Sequence, residues 1–377
     1  MKKLQMVDLS SQYHKIKGEI DEAVNKVIES TAFINGPETK LFATELASYL
    51  DVKHVIPCGN GTDALQLSMM ALDLQPGDEI ITTTFTFIAT AEVIALLKLK
   101  PVLVDIQPNT FNIDIEAIKN AITIRTKAIV PVHLFGQCAN MEEIIKIARE
   151  YDLYVIEDAC QAIGAECFFS DKSVKKAGTI GDLGVTSFFP SKNLGCYGDG
   201  GAVFTNDDTL ADKVRMLANH GSSVKYYHDY VGVNSRLDSI QAAILRVKLR
   251  YLDQYNKARQ EAAEKYNKRF EGCNKLITPH ISAYSTHVFH QYTLTTRDVD
   301  RDKLLAHLNS NGIPAAIYYP VPLHCQKAYT DPRYKEGNFP ISEMLCKSVI
   351  SLPMHTELDD EQINFIADTV LDFVKNS

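Results

Sequence analysis

Short apolar runs alternate with stretches of helical periodicity between residues 40 and 205. The predicted strands are apolar and often β-branched, and they cover residues 54–57, 79–83, 101–105, 128–134 and 154–157. The predicted helices repeat apolar side chains every three to four positions, and they cover residues 62–72, 89–97, 115–121 and 141–151. This alternation indicates a mainly parallel sheet with helices on both faces.

A single long helical pattern follows, from residue 238 to residue 269, and we expect it to lead into a smaller C-terminal part. That part contains a β-like segment at residues 288–295 and helical patterns at residues 301–309 and 359–374. The predicted fold is therefore α/β, with a large domain over residues 1–250 and a smaller α+β domain over residues 251–377. A chain of 377 residues is long enough for both.

Charge and composition narrow the classes of function. The net charge is −8 at pH 7, so we expect no general attraction to nucleic acid. No apolar run approaches the roughly 18 residues that span a membrane, and no apolar stretch follows Lys2 and Lys3 as in a secretory signal. We therefore expect a cytoplasmic protein. Its eight cysteines contain no Cys-x-x-Cys pair, which favours reduced thiols and no metal site.

The first candidate for chemistry is a glycine-rich turn between a predicted strand and a predicted helix. It reads Cys58-Gly59-Asn60-Gly61-Thr62-Asp63-Ala64-Leu65. Glycines let a ligand approach the backbone, and the free N–H groups of a helix's first turn attract an anion. A plain capped turn and a dinucleotide fingerprint, G-x-G-x-x-A, are the alternatives. The fingerprint needs an acid near the far end of the next strand, whereas Asp78 and Glu79 stand at its start, so we favour a phosphate site.

Two acids end the last predicted strand of this region. The segment reads Tyr154-Val155-Ile156-Glu157-Asp158-Ala159-Cys160-Gln161. Ligands of open α/β sheets lie beyond the carboxyl ends of the strands, and strand alternation points Glu157 and Asp158 in opposite directions. One carboxylate is therefore expected to face a ligand, where it could pair with a protonated ring nitrogen. A helix cap or a salt bridge is the alternative.

Lys192 follows two aromatic residues and a proline and precedes a cluster of glycines. The segment reads Ser187-Phe188-Phe189-Pro190-Ser191-Lys192-Asn193-Leu194-Gly195, followed by Cys196-Tyr197-Gly198-Asp199-Gly200-Gly201. A lone lysine is usually solvated on a turn, but these neighbours favour partial burial, which lowers the pKa of the amine and suits it to Schiff-base chemistry. An anion site, a carboxylate and an activated amine are together what pyridoxal 5'-phosphate (PLP) requires.

These segments are similar to those of the sugar aminotransferases of the DegT/DnrJ/EryC/StrS family, which have the type I fold of aspartate aminotransferase. The resemblance runs from Met6-Val7-Asp8-Leu9 to Ser351-Leu352-Pro353-Met354-His355 and includes Asn234-Ser235-Arg236-Leu237-Asp238. It implies that Lys192 binds the aldehyde of PLP and that Asp158 pairs with the ring nitrogen. It also implies further cofactor contacts from Gln161 to the ring hydroxyl, Phe87 stacked on the ring, Gly61, Thr62 and Ser187 to the phosphate, and Asn234 to the phosphate of the other subunit of a homodimer.

Within the family, the resemblance is strongest to enzymes that use L-glutamate to aminate C3 of UDP-2-acetamido-2-deoxy-3-oxo-glucuronate. It implies a nucleotide-sugar substrate for surface polysaccharide, such as the O-antigen of lipopolysaccharide. The predicted substrate-side residues are Arg236, Tyr318, Tyr319 and His324. Arg236 would bind an acidic group of a substrate, unless it pairs with Asp238.

The segment Ile317-Tyr318-Tyr319-Pro320-Val321-Pro322-Leu323-His324 departs from those enzymes, which often have His-Tyr-Pro there. His324 is instead similar to the deoxysugar 3-aminotransferases, so a dTDP-3-keto-6-deoxyhexose is the alternative substrate. Two alternatives come from other classes: an NAD-dependent sugar oxidoreductase, which would rely on the glycine turn, and a non-catalytic regulatory role.

Overall fold

The computed structural model describes residues 3–376. Met1 and Lys2, which entered the expectation about a secretory signal, lie outside the described residues. The helices are α1 (Leu9–Ser30), α2 (Pro37–Leu50), α3 (Gly61–Ala71), α4 (Ala89–Leu96), α5 (Ile115–Ala121), α6 (Met141–Tyr151), α7 (Asp208–Ala218), α8 (Ser239–Leu249), α9 (Leu252–Phe270), α10 (Arg301–Ser310), α11 (Pro340–Ser348) and α12 (Asp360–Lys375). The strands are β1 (His54–Cys58), β2 (Glu79–Thr83), β3 (Lys100–Val104), β4 (Thr126–Val130), β5 (Tyr154–Asp158), β6 (Glu166–Phe168), β7 (Val174–Lys176), β8 (Leu183–Ser187), β9 (Gly201–Thr205), β10 (Leu276–Ile277), β11 (Tyr292–Thr296) and β12 (Val349–Leu352).

The main sheet has seven strands in the order β1-β9-β8-β5-β4-β2-β3. Strands β3, β2, β4, β5 and β8 run parallel, and β9 runs antiparallel to both of its neighbours, β8 and β1. Because β1 and β8 are both antiparallel to β9, β1 points the same way as the parallel strands. The prediction of a mainly parallel sheet in an α/β fold is confirmed, with β9 as the antiparallel member.

Successive residues of the central strands enter two different cores, one on each face of the sheet. Ile80 of β2 joins a cluster with side chains of α3, α4 and α7. The next residue, Ile81, joins a cluster with side chains of α5 and α6. Strands buried on both faces must be apolar throughout, which explains their continuous apolar runs.

A smaller antiparallel sheet, in the order β10-β11-β12, forms the centre of the C-terminal part. Its core combines aromatic and aliphatic side chains of α9, α10, α12 and the sheet, and Leu4 of the N-terminal segment also joins it. The division of the chain at residue 250 stays a prediction.

The single helix predicted over residues 238–269 is wrong, because α8 ends at Leu249 and α9 begins at Leu252. Tyr251, between the two helices, has φ −105° and ψ −2°. Neither glycine nor proline marks this break, and the apolar rhythm continues across it. Periodicity alone therefore could not locate it.

Cys138 and Cys167 form a disulfide, so the expectation of reduced thiols is wrong for this pair. The segment after β4 brings Cys138 beside β6, and the two Cα atoms lie 6.2 Å apart, within the usual range for a disulfide. The other six cysteines are free.

Residues 3–376 contain neither a membrane-spanning helix nor a cluster of metal ligands. No helix among them is long and apolar enough to cross a membrane. No group of three or more histidine, cysteine or acidic side chains in the same range could hold a metal ion.

Candidate active site

The three segments singled out in the sequence meet at one edge of the main sheet. Asp158 is the last residue of β5 and Ser187 the last of β8, while α3 begins just after β1. Gly201, the first residue of β9, pairs with Ser187 on one side and with Cys58 on the other. The carboxyl ends of β1, β8 and β5 therefore lie side by side, the usual place for a ligand in an open α/β sheet.

The glycine turn forms a cradle at the start of α3. The side chain of Asn60 caps the helix by accepting the N–H of Asp63 at 2.8 Å. The N–H groups of the first turn have no partner within a helix and can bind an anion, and the half-buried Thr62 adds a hydroxyl there. The space is narrow, because a Cβ on Gly61 would meet the Cβ of Ser187 at 2.8 Å. These residues fit a phosphate group.

The backbone of the cradle is held close to the sheet. A Cβ on Gly201 would lie 2.4 Å from the carbonyl group of Asn60, so only glycine allows this approach. From the other side, the hydroxyl of Ser235 accepts the N–H of Gly59 at 2.9 Å and donates to Asp63 at 2.6 Å.

Asp158 is the carboxylate that faces the site. It is 6% exposed, and it accepts hydrogen bonds from the Thr90 hydroxyl at 2.9 Å and from the Cys160 N–H at 3.2 Å. Both donors are neutral, and no ion pair of Asp158 occurs within residues 3–376. A buried charge of this kind is stabilised by a cation, so Asp158 fits the protonated nitrogen of a pyridine ring. No feature of the sequence marks Thr90, which looks like an ordinary residue of α4.

Glu157 points to the opposite side of β5, as strand alternation predicts, and is fully buried. One oxygen accepts the Nε2–H of His133 at 2.8 Å and the N–H of Gly178 at 3.0 Å. The other accepts the N–H groups of Ile180 at 2.5 Å and Gly181 at 2.6 Å. Glu157 therefore fixes the end of β5 from behind, while Asp158 faces forward.

Lys192 lies on the turn after β8 and is half-buried, in agreement with its aromatic neighbours. The turn is closed by backbone bonds from Lys192 to the carbonyl of Phe189 and from Cys196 to that of Phe188, both 2.8 Å. Desolvation lowers the pKa of Lys192, while the nearby Cys160 and Asp158 act in the opposite direction. A lysine amine, a carboxylate and an anion cradle thus share one site.

Cys160 occupies the space between these groups. Its sulfur would lie 3.0 Å from a Cβ on Gly61, and burial raises the pKa of its thiol, with a further rise from the charge of Asp158. In the sequence, Cys160 stands out only as part of the motif around Asp158. Strand alternation could not have predicted its place, because β5 ends at Asp158 and Cys160 lies in the turn that follows.

Gln161 and Tyr319 form another wall of the site. The side chain of Gln161 accepts the N–H of Phe135 at 2.8 Å and donates to the Tyr319 hydroxyl at 3.1 Å. The ring of Tyr319 packs edge-on against Phe85, and Tyr318 beside it is half-buried. These contacts orient Gln161 from both ends. Its contact with a cofactor hydroxyl stays a prediction.

Phe87 is 57% exposed and follows β2 at the same edge of the sheet. An exposed aromatic face is available for stacking on a ring. The stacking itself stays a prediction.

His324 lies behind the wall of the site, because its side chain is fully enclosed. Its Nδ1 contacts the Thr84 hydroxyl at 2.9 Å and its Nε2 contacts Glu343 at 3.1 Å. Both ring nitrogens are therefore occupied. In this arrangement His324 supports the segment after Tyr319 and offers no open ring nitrogen to a substrate.

Arg236 and Asn234 flank Ser235, whose hydroxyl contacts the glycine turn. Arg236 lines a surface cavity of about 870 Å³ together with Lys40 and Arg215, and neither Lys192 nor Asp158 borders it. No ion pair joins Arg236 to Asp238 in the described part of the chain, where Asp238 instead caps α8 by accepting the N–H of Gln241 at 2.9 Å. Asn234 is exposed, and its contact with a second subunit's cofactor stays a prediction.

We expect Glu157→Gln to lower the free energy of unfolding by about 2–4 kcal/mol. The amide keeps the shape of the side chain but turns an NH₂ group toward backbone N–H groups or His133, so buried donors lose their acceptor. Chemical denaturation measures the change. The control is Glu166→Gln, which alters a partly exposed carboxylate paired with Lys176 and should change the free energy by no more than about 0.5 kcal/mol. Equal effects of the two substitutions would contradict the role given to Glu157.

Known proteins are similar to this chain along nearly its whole length. The sequence profile of the DegT/DnrJ/EryC1/StrS aminotransferase family matches residues 14–371. A UDP-2-acetamido-2-deoxy-3-oxo-D-glucuronate aminotransferase from Pseudomonas aeruginosa is 45% identical over 363 residues, covering 96% of this chain and 98% of the relative. A pleiotropic regulatory protein from Geobacillus stearothermophilus is 47% identical, covering 98% of each chain. A dTDP-3-amino-3,6-dideoxy-alpha-D-galactopyranose transaminase from Aneurinibacillus thermoaerophilus is 41% identical, covering 97% of this chain and 98% of the relative.

Solved structures are similar along the same length. DesV from S. venezuelae superposes with a TM-score of 0.95 at 36% identity, covering 100% of this chain and 99% of DesV. NtdA from Bacillus subtilis, solved with bound cofactor PMP, superposes with a TM-score of 0.87 at 32% identity, covering 96% of this chain and 82% of NtdA.

Proposed function

The chain belongs to the DegT/DnrJ/EryC1/StrS aminotransferase family, and from this premise we propose that it transfers an amino group from L-glutamate to C3 of UDP-2-acetamido-2-deoxy-3-oxo-D-glucuronate. Without regard to the particular sugar, its activity is that of a PLP-dependent sugar aminotransferase. The observation that carries the proposal is the meeting of Lys192, Asp158 and the α3 cradle at one sheet edge. We propose that the amino sugar produced is used in the synthesis of surface polysaccharide.

PLP, when bound, supplies an electron sink that lets the amino group leave the donor and pass to the acceptor. In the proposed reaction the first turn of α3, with Gly61, Thr62 and Ser187, holds the phosphate. Asp158 keeps a proton on the ring nitrogen, because a buried carboxylate favours a cation beside it. Thr90 keeps the Asp158 carboxylate in place through its hydrogen bond.

Lys192 has two tasks in this proposal. Its amine holds the cofactor before the donor arrives, and afterwards it removes the proton from the α-carbon of L-glutamate as a positioned base. A lowered pKa suits both tasks, since a larger share of the amine is uncharged near neutral pH. The nearby Asp158 limits this lowering.

The choice of a UDP-linked acid rests on the Pseudomonas aeruginosa relative, which is more similar to this chain than the dTDP-sugar transaminase from Aneurinibacillus thermoaerophilus. The dTDP-3-keto-6-deoxyhexose alternative rested on His324, whose ring nitrogens are both engaged by Thr84 and Glu343. Arg236, which pairs with no described carboxylate, is our candidate for an acidic group of the substrate, in a homodimer where Asn234 reaches the second site.

A regulatory role is the second candidate, because one relative is named a pleiotropic regulatory protein. A purely regulatory protein would bind its ligand without transferring an amino group. The amine, the carboxylate and the cradle are all retained here, which favours catalysis.

The direct test is product analysis with PLP, L-glutamate and three acceptors. The acceptors are UDP-2-acetamido-2-deoxy-3-oxo-glucuronate, its neutral analogue with a CH₂OH group in place of the carboxylate, and a dTDP-3-keto-6-deoxyhexose. We expect the first to be converted to the 3-amino sugar with a kcat/KM at least about tenfold above the others, since a charged group that finds its partner is worth more than 1 kcal/mol. Mass spectrometry and NMR identify the product. Exclusive conversion of the dTDP sugar would overturn the substrate assignment, and no conversion of any acceptor would favour the regulatory role.

Lys192→Ala should abolish the visible absorbance that stays with the protein after unbound PLP is removed and lower kcat by more than about 10³-fold, because the amine that binds the cofactor in this proposal is removed. Absorbance and steady-state rates measure the two effects. Lys127→Ala changes an exposed lysine on β4, away from this edge of the sheet, and should leave both unchanged. Normal turnover by the Lys192 variant would refute the assignment.

Asp158→Asn should retain PLP but lower kcat by about 10²–10⁴-fold, because a neutral amide no longer keeps the ring nitrogen protonated. Equilibrium dialysis of the cofactor and steady-state kinetics separate the two quantities. An unchanged kcat would show that Asp158 has only a structural task.

A further inference from the structure

Asn193, the residue next to Lys192, is buried and connects the lysine turn to two distant segments. Its Nδ2 donates to the Oδ1 of Asn256 at 2.7 Å and to the carbonyl of Val288 at 2.9 Å. Asn256 lies on α9, and Val288 lies shortly before β11. The side chain of Asn193 therefore ties the end of the main sheet to the C-terminal part of the chain.

Asn256 extends this connection to the segment that carries Asp158. It is buried, and its Nδ2 donates to the carbonyl of Ile163 at 3.2 Å, shortly after Asp158 and Gln161. The neighbouring Gly164 has a φ of +84°, and a Cβ there would lie 2.7 Å from the Nδ2 of Asn256. One pair of amide side chains thus links the turn of Lys192 to the segment of its carboxylate partner.

The surface that receives Asn193 is itself fixed by α9. Arg259, one turn after Asn256, is buried, and its Nη1 donates to the carbonyls of Phe289 at 3.2 Å and Met354 at 2.9 Å. His290, on the same segment, is close enough to Lys192 that the lysine charge contributes to the lowered pKa of the imidazole. The segment that contains Val288 is therefore a rigid wall beside the lysine.

We propose that Asn193 is a positioning residue, which acts through Asn256 and the Val288 carbonyl to hold the amine of Lys192 in register with Asp158. The inference rests on the proposed function, in which Lys192 carries the cofactor. Backbone bonds close the base of the turn, between residues 188 and 200. The side chain of Asn193 provides the tie from this turn to α9.

The NH₂ group of the Asn193 side chain is the donor in both contacts. Its Oδ1 is buried and has no hydrogen-bond partner in the described residues. Asn193→Leu keeps the approximate size and the neutral charge of the side chain but removes the donor, so it separates the two hydrogen bonds from simple filling of space. Asn256→Ala removes the partner and leaves Asn193 itself in place.

The experiment compares these variants as PLP-loaded proteins. We expect the midpoint of the pH titration of the visible absorbance to shift by about one pH unit in Asn193→Leu and in Asn256→Ala, because the amine moves relative to Asp158. We expect kcat to fall at least about tenfold, with KM for L-glutamate within about threefold of wild type. The kcat of the double variant should lie within about twofold of the kcat of the more impaired single variant, because both changes break the same connection.

Thr293→Val is the matched control. It removes the buried hydrogen bond between Thr293 and Ser351, 2.8 Å long, which joins β11 to β12. We expect it to lower the thermal midpoint while the absorbance titration and kcat remain those of wild type.

The inference is overturned if both asparagine variants lose thermal stability as the control does and keep the wild-type titration midpoint and kcat. Failure of the proposed function would look different, because wild-type protein itself would then develop no visible absorbance with PLP and transfer no amino group.

Discussion

A carboxylate that is removed from water must be paired on all sides, and the site depends on how Glu157 meets this requirement. It collects N–H donors from the turn at residues 178–181 and from His133, which follows β4. The ring of His133 in turn accepts the N–H of Ala139, so its proton lies on the nitrogen that faces Glu157. The buried charge therefore fixes β5 and its surroundings in one arrangement.

The hydrogen bonds behind β5 continue to the side of the strand that Asp158 faces. His133 donates its backbone N–H to the carbonyl of Asp158 at 2.9 Å. Phe135, on the same segment, orients Gln161, which then orients Tyr319. Each of these contacts joins residues far apart in the chain, so hydrogen bonds connect the end of β5 to the opposite wall of the site.

Elements with strong local signals could be predicted from the sequence. The bounds of β2, α5 and α6 agree with the prediction, and the last two begin after Asp114 and Asn140, whose side chains cap them. The break between α8 and α9 has no such signal, since helical periodicity persists through it. Lys192, Asp158 and the glycine turn could be found because their residue types are unusual for their positions. Thr90, Asn256 and the disulfide of Cys138 could not, because only the folded chain brings their partners to them.

The tie between Asn193 and Asn256 has a consequence for protein engineering. C-terminal segments could be exchanged between relatives of this chain, and the break before α9 offers a convenient junction. A donor segment joined there would also bring its own residue at position 256 and its own wall around residue 288, both of which touch the turn of Lys192. Recombination at this junction would thus alter the surroundings of Lys192 as well as the C-terminal part of the chain, unless the two asparagines are inherited together.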